Sequence, residues 1–496
     1  MVQGQKKRIL QYNSDSLNGM LLAGNNSMTE LLLWALILLP PLIVKNGAGV
    51  CFINIGLFAG ITFAWLFLVK RLRSYRDLSG KEMYNLGDYF YSRYNSLFLK
   101  EFYLAVWLLL VLAITGALLI YAGQIISAAT GIRTRLAIPI CAGFLALFLC
   151  ILSNKIRSII RSIVYLLIFI LFTGMIVWLL TSNSASELLD TYGKLHLPGG
   201  TSTYLNILYY NGKSIGATHI ISLVGAGLGC LGLPFLYNGA FEAKNSRSLD
   251  RGRVLSMVCA GTMVVALSMW ALLNVACIYP LKAENFTDTN ELLDAFVVSL
   301  CEKEQLPQSF QYIAEGILIL AVVCLLERIY AMIFDIVKTM TRVDNRIPSK
   351  DNKIKSKDIR IKSKFVLTCM DIVTVVLITG LITVFALLWE GDYHVIIRIV
   401  WEYSIAVAAP CIVSIIWRGA SKAGIFFGGL TGILVCSFWQ FIPFLEEKTL
   451  AGATELSGGM AAFVISLAVT IIVSMFTHKK NEEETRLFNQ IKLEQK

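Results

Sequence analysis

Gly225-Ala226-Gly227-Leu228-Gly229-Cys230-Leu231-Gly232-Leu233-Pro234 puts four glycines and a proline into an otherwise apolar run, and Gly24-Asn25-Asn26-Ser27 interrupts another such run five segments earlier. A bilayer core offers no water to backbone N–H and C=O groups. Gly, Asn and Pro at that depth are therefore tolerated mainly where the freed groups line a cavity or meet a ligand. Two interrupted segments at corresponding places of two halves are the signature of a binding site built at an inverted repeat, so the pattern points to solute transport.

Working outward, the 496 residues are 56% hydrophobic and 16% charged, which excludes a soluble globular chain. Apolar runs of roughly 20 residues, enough to span a bilayer as a helix, occur at 17–45, 50–69, 101–128, 135–153, 158–181, 218–241, 254–279, 311–337, 365–389, 394–417, 422–441 and 456–477. The expected class is an all-α polytopic membrane protein of about twelve helices. Its start, Met1 to Asn18, is polar and carries Lys6, Lys7 and Arg8, so no cleavable signal peptide is expected.

The net charge of +11 sits in alternate loops, with clusters at 6–8, 70–93, 155–157, 244–253, 338–364, 418–422 and 479–496. That distribution is the positive-inside bias and speaks for topology rather than nucleic-acid binding. It predicts a multi-pass protein of the cell (cytoplasmic) membrane with both termini cytoplasmic. The longest basic loop, 338–364, holds ten Lys or Arg against three Asp and reads as a topology determinant, with anionic lipid as the other reading. Eleven scattered cysteines without a CxxC imply neither a metal site nor a structural disulfide.

The runs divide into two five-helix units of opposite orientation, because each unit has an odd number of spans and begins with its interrupted one. The expected organisation is a cytoplasmic segment at 1–16, a first repeat at 17–181, an outer loop at 182–217, a second repeat at 218–417, two peripheral helices at 418–477 and a cytoplasmic tail at 478–496. The outer loops 182–217 and 281–309 are long enough for short interfacial helices that cover an outward-facing mouth.

Three stretches carry a resemblance to the sodium/solute symporter family, nearest its bacterial sodium/proline branch. Asn85-Leu86-Gly87-Asp88-Tyr89-Phe90-Tyr91-Ser92-Arg93-Tyr94 resembles a loop motif of the family, the glycine-rich run at 221–234 its sixth core helix, and Ala406 to Trp417 with Gly419 and 424–432 its tenth and eleventh. The resemblance implies a leucine-transporter-type 5+5 fold. The family usually has a further helix ahead of the first core helix, for which this sequence leaves no room.

The resemblance also implies a sodium ion held between backbone carbonyls of the first core helix and a hydroxyl pair on the eighth. At the matching positions this sequence has Arg328 and Ile329, and Glu30 stands where the first core helix usually carries Asp. A guanidinium cannot coordinate sodium and repels it. A lone charge at mid-membrane needs a partner, and the expected one is Glu30 across the first and eighth segments. The competing reading pairs Arg328 locally with Glu327, Asp335 or Asp371. Glu327, one residue away and so about 100° around the helix, and Asp371 are candidates for a proton path or for structural ion pairs. Sodium is thus implied by the family and opposed by Arg328 and Ile329; no other cofactor and no metal are expected.

For the solute, the candidates are Asn25, Asn26 and Ser27 at the first interruption and Gly225, Ala226, Gly229 and Cys230 at the second. Ala226 and Cys230 fall where the resemblance implies substrate-flanking aromatics in the proline branch, so proline itself is not carried over. Helix termini at two interruptions would favour a carboxylate, and the asparagines read equally well as caps. Trp34, Tyr121, Tyr237 and Trp401 are potential stacking surfaces, with packing as the commoner role. Arg398 and Glu402, spaced i to i+4, are expected to satisfy each other, and His219 opens the sixth segment as a solvated or gating residue.

The function expected is therefore secondary transport of a small organic solute, amino-acid-like or a carboxylate, by alternating access, with sodium coupling and sodium independence both left open. The partners are the solute and the bilayer, with no nucleic acid and the oligomeric state open. The alternative is a transport-incompetent relative that senses or assembles. No nucleophile–base pair, phosphate loop or metal cluster speaks for an enzyme.

Overall fold

The computed structural model describes residues 17–182, 185–194, 197–277, 309–341, 357–389, 392–445, 448–478 and 486–491. Ten helices in it are long and apolar enough to cross a membrane: α1 Gly19–Asn46, α2 Ala48–Ser79, α3 Leu97–Thr130, α4 Thr134–Ile151, α5 Asn154–Thr181, α7 Ser246–Val275, α8 Tyr312–Thr341, α10 Tyr393–Ile416, α11 Lys422–Phe441 and α12 Gly458–Thr477. Two shorter apolar helices, α6 Ala217–Leu231 and α9 Ile372–Leu388, bring the set to the twelve segments read from hydropathy.

Packing follows the two-repeat arrangement. Helices α1, α2, α6 and α7 form one bundle, with α1 on α7 and α2 on both α6 and α7. Helices α3, α4, α8 and α9 form a second, with α3 on α8, α4 and α9. Helix α5 lies against α1 and α8, and α10 lies against α6 and α3. Exchanging α1 with α6 and α3 with α8 turns one set of contacts into the other, as a five-plus-five repeat requires. Helices α11 and α12 pack on each other and on α10 at the periphery.

Within the first bundle, α2 and α6 cross backbone against backbone. A Cβ on Gly56 would fall 1.9 Å from the Val224 carbonyl, and one on Gly227 would fall 2.2 Å from the Ile53 carbonyl. Only glycine at both positions lets the two backbones meet, so Gly227 serves packing. The interruption of the sixth segment lies just beyond it. Regular α-helix ends at Leu228, a tight turn covers Gly229–Leu231, and helix resumes only at Gly239–Glu242. The freed carbonyls are taken up by protein: Trp107 Nε1 donates to Gly232 O at 3.0 Å and the Tyr237 hydroxyl to Leu231 O at 2.6 Å.

The first segment corrects the sequence reading. Gly19–Glu30 is continuous α-helix through Gly24-Asn25-Asn26-Ser27, and the irregularity falls later, as a π-turn over Leu31–Leu36 before helix resumes at Leu39–Asn46. Pro40 and Pro41 explain the position, since neither has an N–H to give to the carbonyl four residues back. Gly24 serves close packing instead, its Cβ position lying 2.5 Å from Ser162 Oγ of α5.

The loop at 85–94 is a brace. Asn85 caps the short helix Leu86–Tyr94 by accepting from the Asp88 N–H at 3.1 Å, and its amide donates to Thr339 Oγ1 on α8 at 2.6 Å. The Tyr89 hydroxyl donates to Ser414 O at 2.8 Å, and Arg93 donates to the carbonyls of Trp417 and Arg418, tying the loop to the end of α10. At the other end of the bundle a short helix, Ala185–Lys194, and a hairpin of Tyr209–Tyr210 with Lys213–Ser214 occupy the loop between α5 and α6. There the Tyr204 hydroxyl donates to the carbonyls of Ile43 and Val44 at the end of α1. Burial pushes its pKa well above the ordinary phenol value, which keeps the donor protonated. Most of the loop at 281–309 lies outside the described residues.

Candidate functional site

The start of α1 and the end of the sixth segment are joined backbone to backbone. Leu17 N donates to Glu242 O at 3.1 Å and Lys244 N donates to Leu17 O at 3.0 Å. This short parallel bridge places the Glu242 side chain beside the first turns of α1. Asn26 Nδ2 donates to its carboxylate at 3.2 Å, and Asn25 Nδ2 lies at 3.4 Å. Arg328, from α8, completes the group. Its Nη2 lies 3.0 Å from Glu242 Oε1 and 3.1 Å from Asn26 Oδ1, and its Nε donates to the backbone carbonyl of Asn25 at 3.1 Å.

A second carboxylate, Glu327, projects from a different face of α8, as the 100° step from Arg328 requires. Glu327 is paired with Arg157, 3.1 Å away, and with Arg161, both on α5. Arg161 also donates to Asn25 Oδ1 from Nη2 at 2.7 Å and from Nε at 3.2 Å. Asn25 thereby links the two ion pairs. Among the described residues, three guanidiniums and two carboxylates are joined in one network across α1, α5, α8 and the end of the sixth segment, and each of these five is at least 96% buried. Such a cluster is held together by mutual pairing, because each charge alone would carry an uncompensated desolvation cost of several kcal/mol.

The expected partner of Arg328 is thus replaced. Glu30 does not pair with it; Glu242 does, because Glu30 lies more than a turn further along α1, where its Oε2 accepts from Trp34 Nε1 at 2.6 Å. Glu327 is likewise a member of ion pairs. Ile329 is fully buried in the apolar core. Asn25 and Asn26 cap no helix end and make the contacts just described. Ser27 Oγ accepts from Trp65 Nε1 at 2.7 Å. The side chain of Asp371 lies outside the described residues.

At the second interruption the candidates separate. Gly225 faces Met460 of α12 and Ala226 is half-buried on α6. Gly229 and Cys230 turn inward: a Cβ on Gly229 would lie 2.1 Å from Trp401 Cδ1, and Cys230 is fully buried. Trp401 stacks on Trp34 with ring centroids 4.1 Å apart and planes tilted by 31°. Glu30, Trp34, Trp401, Gly229 and Cys230 therefore meet where the irregular stretches of α1 and α6 face α10. Tyr121 packs against Tyr393, and Tyr237 serves the Leu231 carbonyl. His219 is half-buried and rests on Tyr210. No ion pair joins Arg398 and Glu402 among the described residues; Glu402 accepts instead from the backbone N–H of Gly459, at the start of α12.

Glu242, Arg157 and Arg161 were missed as site residues. The signal was present, since a charged side chain within an apolar run marks a site that demands a partner. Arg161 lies inside the fifth run, Arg157 one turn earlier on the same helix face, and Glu242 directly after the sixth run. Which cation meets which carboxylate depends on how the helices pack.

The comparisons with known proteins agree with this architecture. The model of the Sodium:solute symporter family matches residues 14–432. The Sodium/proline symporter of Staphylococcus aureus (strain Newman) is 22% identical over 464 residues, covering 90% of this chain and 83% of that protein. A solved structure of a Na+-coupled sialic acid symporter, in a substrate-bound outward-open state, superposes with a TM-score of 0.62 at 10% identity, covering 93% of this chain and 90% of that one. That likeness supports the fold. The chain belongs to the sodium:solute symporter family, with the leucine-transporter-type fold of a membrane-embedded secondary transporter, and is not an enzyme.

Proposed function

We propose that the protein carries a small, amino-acid-like organic solute across the cytoplasmic membrane by alternating access, and that the guanidinium of Arg328 does the work of the family's sodium ion. The observation that carries this reading is the Arg328 Nε bond to the Asn25 carbonyl at 3.1 Å, with Asn26 and Glu242 completing the shell. A backbone carbonyl of the first core helix, bridged to the eighth by a positive charge, is the arrangement the family resemblance assigns to the ion. Here the charge is covalently held, so its binding is not coupled to an ion gradient.

The same network forms the inner gate. With the basic loops taken as cytoplasmic, Asn25, Asn26, Glu242, Arg161 and Arg328 lie in the inner half of the bundle. Opening that side separates α1 and the end of the sixth segment from α5 and α8. The separation must break the Glu242–Arg328 and Asn25–Arg161 contacts. The carboxylate subsite expected at Asn25-Asn26-Ser27 is not retained in this reading, because those residues lie in unbroken helix and are committed to protein partners.

The test is thermal stability of the purified protein in sodium against potassium at matched ionic strength. Wild type should not distinguish the two ions. Arg328→Ser with Ile329→Thr, which restores two hydroxyls and leaves Glu242 without its cation, should be less stable in potassium and recover in sodium. A sodium-specific stabilisation of wild type, or a double variant indifferent to sodium, refutes the tethered-cation reading.

A further inference from the structure

We infer that the solute carries a cationic nitrogen, an organic ammonium, received by Glu30 and the Trp34–Trp401 pair. This inference rests on the transport reading above and gives its solute a chemical class.

Glu30 is fully buried, and with Arg328 committed to Glu242 no ion pair reaches it among the described residues. Its Oε2 accepts from Trp34 Nε1, while Oε1 is buried and accepts no hydrogen bond there. Cys230 and Tyr237, the groups of the sixth segment within electrostatic reach of it, bring no positive charge. Trp401 supplies a second open valence: it is 6% exposed, and its Nε1 donates to nothing among the described residues. An unsatisfied carboxylate oxygen and an unsatisfied indole N–H thus occur together where the irregular parts of α1 and α6 meet α10. Gly229 keeps that place open to Trp401, since any side chain there would displace the ring.

The chemistry selects among ligands. A buried carboxylate lacking a counter-charge is poorly matched to an anion and well matched to a cation that brings the missing charge. Two indole faces beside it add cation–π attraction, strongest for a desolvated ammonium on tryptophan. A zwitterion qualifies, with its ammonium on Glu30. Rings 4.1 Å apart leave no room between them, so binding parts them and should alter indole fluorescence.

The experiment uses the full chain in lipid nanodiscs, with melting and tryptophan fluorescence followed during titration with choline and with isobutylammonium. Each is set against its neutral isostere, 3,3-dimethylbutan-1-ol or isobutanol, with sodium chloride as the ionic control. At least one cation should give saturable stabilisation and a fluorescence change, its isostere acting at least tenfold more weakly. Glu30→Gln should weaken that response at least tenfold and Glu30→Asp should retain most of it. Should Glu30→Gln not fold, Trp401→Phe must weaken the response severalfold. Failure of both cations, equal action of an isostere, indifference to these substitutions, or the same response to sodium chloride overturns the ammonium site.

Counterflow of the bound cation in proteoliposomes separates this inference from the reading beneath it. Binding without counterflow overturns transport and leaves the ammonium site standing. Counterflow of a neutral or anionic solute that is undiminished in Glu30→Gln overturns the ammonium site and leaves transport standing.

Discussion

Replacing Glu242 by glutamine tests the partner assignment most directly, because it removes one charge and keeps the side chain's size and hydrogen-bonding reach. Glu242 Oε1 and Arg328 Nη2 are 3.0 Å apart. Unit charges at that distance interact by about 5 kcal/mol at an effective dielectric of about 20. The amide oxygen still accepts from the guanidinium, which recovers part of that attraction. The network passes from three guanidiniums against two carboxylates to three against one. We expect Glu242→Gln to cost about 3 kcal/mol, the lower end of the range for breaking a buried pair. A double-mutant cycle with Arg328→Gln isolates the pair from effects on the rest of the fold. Unfolding by a graded denaturing detergent in mixed micelles, followed by far-UV circular dichroism, supplies the four free energies. The Glu242–Arg328 coupling should be about 2 kcal/mol or more, and a parallel Glu30–Arg328 cycle should give less than about 0.5 kcal/mol. Equal couplings, or the larger value for Glu30, would refute the assignment of Glu242 as the counter-charge.

Trp107→Phe keeps the ring packed but removes the donor to the Gly232 carbonyl. It should cost about 1 to 3 kcal/mol, the penalty for a stranded buried acceptor, and slow uptake in proteoliposomes; unchanged melting would show that the freed carbonyl needs no donor. Gly227→Ala places a Cβ 2.2 Å from a backbone oxygen of α2 and should destabilise by about 2 kcal/mol or more. Gly143→Ala, with nothing within 4 Å, serves as its neutral control. Matching melting curves for the two alanine variants would exclude the close α2–α6 crossing.

Much of this protein was determined by its sequence alone. The twelve apolar runs set the class, because an unpaired backbone cannot remain in lipid and each run of that length must close its own hydrogen bonds as helix. The glycine-rich interruption of the sixth segment was legible for the same reason, since Gly229, Gly232 and Pro234 cannot continue a regular helix cheaply. The step from Glu327 to Arg328 was legible too, because neighbours on a helix must face apart whatever surrounds them.

Position along the first segment was harder, because asparagine breaks a helix only if its side chain finds nothing better to do. Here Glu242, Arg161 and Arg328 supply better partners, and the irregularity moves to the turn ahead of Pro40 and Pro41. Those partners come from 136 to 303 residues away in the chain. The choice of Glu242 over Glu30 for Arg328, and the meeting of Trp34 with Trp401 beside Glu30, belong to the tertiary structure for the same physical reason. Local sequence sets which groups must be satisfied, while the packing of helices remote in sequence decides which groups satisfy them, and among the described residues it leaves Glu30 Oε1 and the Trp401 indole N–H without a hydrogen bond.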